Sequence, residues 1–257
     1  MIKAVIFDWA GTTVDYGCFA PVQVFIEVFR ARGVEPTMEE TRKPMGMLKI
    51  DHIRTMLKMP RIRAEWQRVN GTEPTEDDVQ TMYASYEEQL LSILNGYAAP
   101  KLHVLDAVAA LRTAGVKIGS TTGYNAKMMA VVAPAAAAQG YAPDCMVTPD
   151  DTAGKGRPYP YMVFRNMEQL GIARVDEVMK VGDTVSDVRE GVAAGVFTVA
   201  VVEGSSEVGL TEAEFEALSP EEREAVCTRA EETFRTAGAN AVIRTMAELP
   251  ALVRQLA

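Results

Sequence analysis

The chain has 257 residues, of which 48% are hydrophobic and 24% charged, with a formal charge of −9. That length holds one large domain or a main domain carrying a smaller insertion, and the balance of apolar and charged residues excludes a disordered chain. The negative charge repels nucleic-acid backbones and anionic lipid surfaces, so neither is expected as a partner; a small anionic substrate stays accessible, because a metal ion and a few placed cations reverse the potential locally.

The chain opens MIKAVIFDWAG, an apolar run that reads as a strand with no basic-then-apolar targeting pattern ahead of it. The softest stretch, Met128 to Ala138, is interrupted by Pro134 and is too short to cross a bilayer. Cys18, Cys145 and Cys227 form no CxxC pair, which predicts a reducing, cytoplasmic setting without disulfides or a zinc site.

Short apolar or β-branched runs recur at Ala4 to Phe7, Val116 to Gly119, Cys145 to Thr148, Val178 to Val181, Phe197 to Val202 and Ala241 to Ile243. Helix-period stretches such as Val104 to Ala114 and Ala126 to Gln139 separate them. This alternation predicts an α/β protein with a parallel sheet covered on both faces. One interval breaks the rhythm. Cys18 to Pro100 offers no convincing strand and reads as helices at Val22 to Arg32, Met38 to Arg42, Ile50 to Leu57 and Thr75 to Leu94. Because the sheet must resume afterwards, a helical cap inserted over 18–100 is predicted in preference to a sequential bundle, with 1–17 and 101–257 as the core. The acidic tail, Thr211 to Arg235, reads as a helical surface elaboration.

Ligands of open parallel sheets gather at the carboxyl ends of the strands, and four segments fall there. Asp8, ending the first strand ahead of the Gly11-Thr12 turn, is placed to ligate a hard cation and attack phosphorus. Gly119-Ser-Thr-Thr122-Gly-Tyr124 supplies hydroxyl and amide donors suited to phosphoryl oxygens. Gly154-Lys155-Gly156-Arg157-Pro158 offers a cation to neutralise a transferring phosphoryl group. Asp183 and Asp187, four apart across a strand end and a helix start, fit a Mg²⁺ site.

That ordered set resembles the haloacid dehalogenase superfamily. The resemblance implies a Rossmann-like, doubly wound core with a helical cap inserted after the first strand. Phosphatases of that superfamily carry a second Asp two residues after the nucleophile as general acid; here Ala10 stands at that position. In the interval read as the cap, Lys49 and His52 are three apart and share a helical face, with Met45 on a face shared with Lys49. A lysine against apolar surface loses its proton readily, and its neutral amine can form a Schiff base with a carbonyl.

The segments DWAGTTVDYGCFAP, RKPMGMLKIDHI, GSTTGY, TPDD with GRPYP, and KVGDTVSD resemble one branch, the phosphonoacetaldehyde hydrolases. The resemblance implies that Lys49 forms an imine with the aldehyde of phosphonoacetaldehyde while Asp8 takes the phosphoryl group, in 2-aminoethylphosphonate degradation. It further implies Mg²⁺ held by Asp8, the Ala10 carbonyl and Asp183. Arg157 and Thr122 would hold phosphonate oxygens, Asp187 would orient water at the metal, and His52 would shuttle protons. Met45, Cys18 and Tyr124 would shape the pocket, and Thr12 would support it. A homodimer is implied too. Where that branch reads Ala-Gly-Arg, this chain carries an extra Lys-Gly, which leaves Lys155 as an alternative to Arg157. Two other activities of the superfamily fit less well. A Mg²⁺-dependent phosphate-ester phosphatase needs an acid at position 10, and a 2-haloacid dehalogenase needs no Gly-Asp-x-x-x-Asp pair. A silent binding module would be expected to lose the nucleophile or metal residues.

Overall fold

The computed structural model describes residues 1–256. Strand β1 (Ala4–Phe7) is followed only by helices until the sheet resumes: α1 (Phe19–Arg30), α2 (Met38–Arg42), α3 (Lys49–Leu57), α4 (Pro60–Asn70), α5 (Glu76–Ile93) and then α6 (Val104–Thr113). From there strands and helices alternate: β2 (Lys117–Thr121), α7 (Ala126–Ala137), β3 (Cys145–Val147), α8 (Tyr161–Leu170), β4 (Val178–Gly182), α9 (Val185–Ala194) and β5 (Phe197–Val201). The chain closes with α10 (Glu212–Ala217), α11 (Pro220–Ala237), β6 (Ala241–Ile243) and α12 (Leu249–Gln255). All strand pairings are parallel, and the sheet order is β3-β2-β1-β4-β5-β6.

β1 sits at the centre, and its residues serve both faces of the sheet because successive side chains point oppositely. Val5 and Phe7 join the larger apolar core with Ile118, Val181 and Val199; Ala4 and Ile6 join a second one with Val147, Met162 and Val163. A strand buried on both faces reads as an unbroken apolar run, which is why Ala4 to Phe7 was legible. The larger core runs on without interruption into the helical segment, through Trp9, Tyr124 and Met128 to Phe25, Phe29, Ile53, Trp66 and Tyr86. The ends of that segment meet: Val14 forms an antiparallel bridge with Pro100, and the Lys101 amide donates to the Thr13 carbonyl at 2.8 Å.

Several boundaries differ from the sequence reading. α4 was not predicted, because Pro60 to Asn70 is mostly polar and buries only Ile62 and Trp66. By contrast, α7 runs through Pro134 as the helix-period stretch from Ala126 to Gln139 implied. The tail is two helices rather than one, since Ser219 caps α11 with a capping box to Glu222 and Pro220 begins it. Nor is the tail mere decoration: Phe215, Cys227, Ala230 and Phe234 pack on Val188, Ala200 and Val202 and cover the end of the sheet. Among the described residues, no helix is long and apolar enough to cross a membrane. Phe234 is fully buried in that packing, so Phe234→Ala should lower stability by about 3–5 kcal/mol; a urea-denaturation midpoint close to the parent's would show the tail to be dispensable.

Candidate active site

The chain moves from β1 outward to β2 and β3, then returns to β4 on the other side of β1. The carboxyl ends of β1 and β4 therefore open onto one crevice at the switch point of the sheet. Asp8 follows β1 and Asp183 follows β4, and the Asp8 amide donates to the Val181 carbonyl at 2.9 Å, tying the strand ends together. The Asp183 carboxylate accepts from Thr12 Oγ1 at 2.7 Å and from the Ser206 amide at 2.8 Å. Only glycine fits at position 11, where φ is +91° and a Cβ would collide with the Asp183 carboxylate.

Oxygens of Asp8, Asp183 and Asp187, all buried, lie within 4.8 Å of one another. Burial, reinforced by the charges of Asp8 and Asp187, pushes the Asp183 carboxyl well above the usual carboxylate range. Three such oxygens make a ligand set for a hard divalent cation, whose charge cancels their repulsion. Ala10 lies beside them and packs against an apolar cluster of Cys18, Val22 and Met45.

Arg157 enters from the loop after β3. Its Nη2 donates to Asp8 Oδ1 at 2.6 Å and lies 3.1 Å from Asp187, while its Nε donates to Glu190 at 3.0 Å. Burial favours loss of the Arg157 proton, but the carboxylates of Asp187, Asp8 and Glu190 outweigh it and keep the group firmly cationic. Lys155 is exposed, with its ammonium 5.2 Å over the Tyr161 ring. Of the two cations left open at this loop, Arg157 is the one in the crevice. Asp187 accepts from Lys180 at 2.8 Å and from Thr184 Oγ1 at 2.6 Å. Burial raises its carboxyl, yet Arg157 and Lys180 prevail and hold it below the usual range.

The helical segment supplies the opposite wall. Lys49 is the first residue of α3, where the positive end of the helix dipole disfavours an ammonium. Its Nζ lies 5.1 Å from the centre of the Tyr124 ring and 5.9 Å from that of Phe25. Burial lowers its pKa; Cys18 and Asp8 pull the other way without overcoming it. Burial also holds the Cys18 thiol and the Tyr124 phenol in their neutral forms by raising both.

Asp8, Ala10, Cys18, Met45, Lys49, Thr122, Tyr124 and Arg157 line one narrow pocket with Gly46, Gly123 and Thr184. Eight of the twelve residues proposed from sequence thus meet in a single space. Thr12, Asp183 and Asp187 support its floor through the bonds above. His52 is not on the pocket wall: its ring stacks on Phe25 at 3.7 Å, Nε2 is 2.9 Å from the Thr41 carbonyl, and burial, then Lys49, drive its pKa well down. Thr122 Oγ1 accepts from the Tyr124 amide at 3.0 Å, whereas the neighbouring Thr121 hydroxyl meets Arg157 at 2.9 Å. Lys180 and Glu190 were missed by sequence reasoning. The signal for Lys180 was a lysine in the middle of a buried strand; Glu190, a further carboxylate three beyond Asp187 on a helix, gave none above that of a solvated charge.

A family model described as haloacid dehalogenase-like hydrolase matches residues 2–195. A phosphonoacetaldehyde hydrolase of Bacillus cytotoxicus is 55% identical, covering 99% of this chain and 96% of its own length. A bifunctional phosphonoacetaldehyde hydrolase/aminoethylphosphonate transaminase of Clostridioides difficile is 55% identical over 96% of this chain, which spans only 39% of that longer protein. A solved structure of a phosphonoacetaldehyde hydrolase-like protein from Oleispira antarctica superposes with a TM-score of 0.96 at 36% identity, covering 99% of this chain and 92% of that one. The chain belongs to the haloacid dehalogenase-like hydrolases and, within them, to the phosphonoacetaldehyde hydrolases.

Gly11→Ala tests the crowding behind the carboxylate trio. The left-handed backbone alone costs an alanine about 1–2 kcal/mol, and displacement of Asp183 should also weaken divalent-cation binding measured by titration calorimetry. Unchanged cation affinity would show that Asp183 does not need this close approach.

Proposed function

We propose that this chain hydrolyses the P–C bond of phosphonoacetaldehyde to acetaldehyde and phosphate, through an imine on Lys49 and an aspartyl-phosphate on Asp8. The observation that carries it is the meeting of Asp8, Lys49 and Ala10 in one pocket; the printed names of the relatives support the same reaction. Asp8, Asp183 and the backbone at Ala10, with Asp187 alongside, would hold Mg²⁺, which supplies charge neutralisation at the phosphoryl group when bound.

The steps of this chain's own residues then follow. The Lys49 amine adds to the aldehyde and, with uptake of one proton and loss of water, gives a protonated imine. Asp8 Oδ attacks phosphorus, and the electron pair of the breaking P–C bond passes into the imine, leaving a neutral enamine. Protonation at carbon and addition of water release acetaldehyde and restore the amine. Water then cleaves the aspartyl-phosphate. Carbon departs as an enamine, so no carboxylic acid is needed at position 10 to protonate an ester oxygen. The methyl of Ala10 and the walls of Cys18, Met45 and Tyr124 keep the lysine poorly hydrated. Arg157 and Thr122 hold the phosphonate oxygens, Asp187 would orient water at the metal, and His52, one turn along α3 from Lys49 and behind the pocket wall, is proposed to relay protons by way of the lysine. The helical segment 18–100 acts as a cap over the core of 1–17 and 101–257, and the enzyme is proposed to work as a cytoplasmic homodimer.

Borohydride added during turnover should reduce the imine and leave a two-carbon adduct on Lys49, readable by peptide mass. Lys49→Ala and Asp8→Ala should each cost on the order of 10⁴-fold or more in kcat; retained phosphate release by the lysine variant would point instead to a Mg²⁺-dependent phosphate-ester phosphatase. Burial lowers the lysine from its ordinary value of 10.5. Below its own pKa the amine is protonated and cannot add to a carbonyl, so kcat/KM should fall with falling pH along a limb centred below the ordinary lysine value. A limb at or above that value would contradict a desolvated lysine.

A further inference from the structure

We infer that Glu190 is a positioning residue that aims the Arg157 guanidinium, holding one edge so that Nη1 is presented to the phosphonate. This deepens the function proposed above and rests on Arg157 being the cation that faces the substrate.

Glu190 lies on α9 and is fully buried. Its Oε2 accepts from Arg157 Nε at 3.0 Å and from Thr121 Oγ1 at 2.9 Å. Thr121 Oγ1 in turn accepts from Arg157 Nη2 at 2.9 Å. The three side chains close a ring of hydrogen bonds around the Nε–Nη2 edge of the guanidinium. Nη2 is committed again to Asp8 Oδ1 at 2.6 Å. That leaves Nη1, whose one hydrogen bond among the described residues is a long 3.4 Å contact to the Gly46 carbonyl in the loop before α3. Arg157 lines the pocket, and Nη1 carries its uncommitted donors.

Charge balance does not explain Glu190. Arg157 and Lys180, whose ammonium also lies 3.4 Å from Glu190 Oε2, are shared among Asp8, Asp187 and Glu190, so three buried carboxylates meet two cations and one negative charge is in excess where burying it is costly. What the carboxylate adds is direction. A guanidinium is a planar fork that binds carboxylates bidentately. Without an acceptor at Nε, both Nη groups could pair with Asp8 and Asp187, and no donor would be left facing the pocket.

Two variants separate charge from reach. Glu190→Gln keeps the reach: its amide oxygen can take the place of Oε2, and its NH₂ that of Oε1, which has no partner. Glu190→Asp keeps the charge but withdraws it by one methylene and opens the ring. Glu190→Gln should stay within about threefold of the parent in kcat/KM, whereas Glu190→Asp should lose roughly a hundredfold and raise the inhibition constant of inorganic phosphate about tenfold, the scale of one lost charge-assisted hydrogen bond. Repeated in an Arg157→Ala background, the aspartate substitution should have no further effect on either quantity, since residues acting through one partner are not additive. Equal losses in both backgrounds, or Glu190→Gln as damaging as Glu190→Asp, would overturn the inference. An Arg157→Ala variant with parent activity would instead remove the reading on which it rests.

Discussion

Four carboxylates and two cations are withdrawn from water at the carboxyl ends of β1 and β4: Asp8, Asp183, Asp187 and Glu190 with Arg157 and Lys180, each at most 4% exposed. Even after relaxation, burying an ion costs several kcal/mol, so such groups persist only where every one is held against a partner. Each position here is therefore fixed by the others. Lys180 projects from within β4 to meet Asp187, Arg157 spans Asp8, Asp187 and Glu190, and Asp183 is held by a hydroxyl and an amide. A parallel sheet with its switch point beside β1 supplies the rigid frame for this arrangement, and its excess of negative charge is compatible with the divalent cation proposed for it.

The helical segment brings the opposite electrostatic design. Its lysine is kept poorly solvated by aromatic rings, a thiol and a thioether, and sits where the dipole of α3 also opposes protonation. One wall of the pocket thus stabilises charge while the other resists it. Asp8 and Lys49 line the same pocket yet meet different surroundings: the carboxylate is paired with Arg157, whereas the amine is buried beside the Phe25 and Tyr124 rings. Ala10 sits at the seam between the two walls.

Much of this was legible in the chain. Fully buried strands are unbroken apolar text, so the run from Ala4 to Phe7 has the bounds of β1, and residues at strand ends are found once the strands are. Ala10 stood out against the acid that the superfamily it resembles carries there, and Lys49 drew its role from the family resemblance rather than from its spacing, which fits a surface lysine as well. Less legible was anything that depends on contacts between distant segments. Glu190 looks like any polar residue on a helix until Arg157 arrives from 33 positions away. Thr121 and Thr122 are adjacent and chemically alike, and only the strand's facing decides which one meets the arginine. Helix α4 and the apolar packing of α11 escaped notice because each buries so few side chains that local pattern is dominated by charge.

The entry to and exit from the helical segment run side by side, stitched by the Val14–Pro100 bridge and the bond from Lys101 to Thr13. In architectural terms the segment is a cassette: its two leads are adjacent, and β1 and β2 are neighbours whatever lies between them. The strand order does not depend on what hangs from those leads, although the apolar core that the segment shares with the sheet, through Trp9, Tyr124 and Met128, would have to be covered by any replacement. The two halves of the proposed reaction thus sit on different parts of the chain, Asp8 on the sheet and Lys49 on the segment suspended above it.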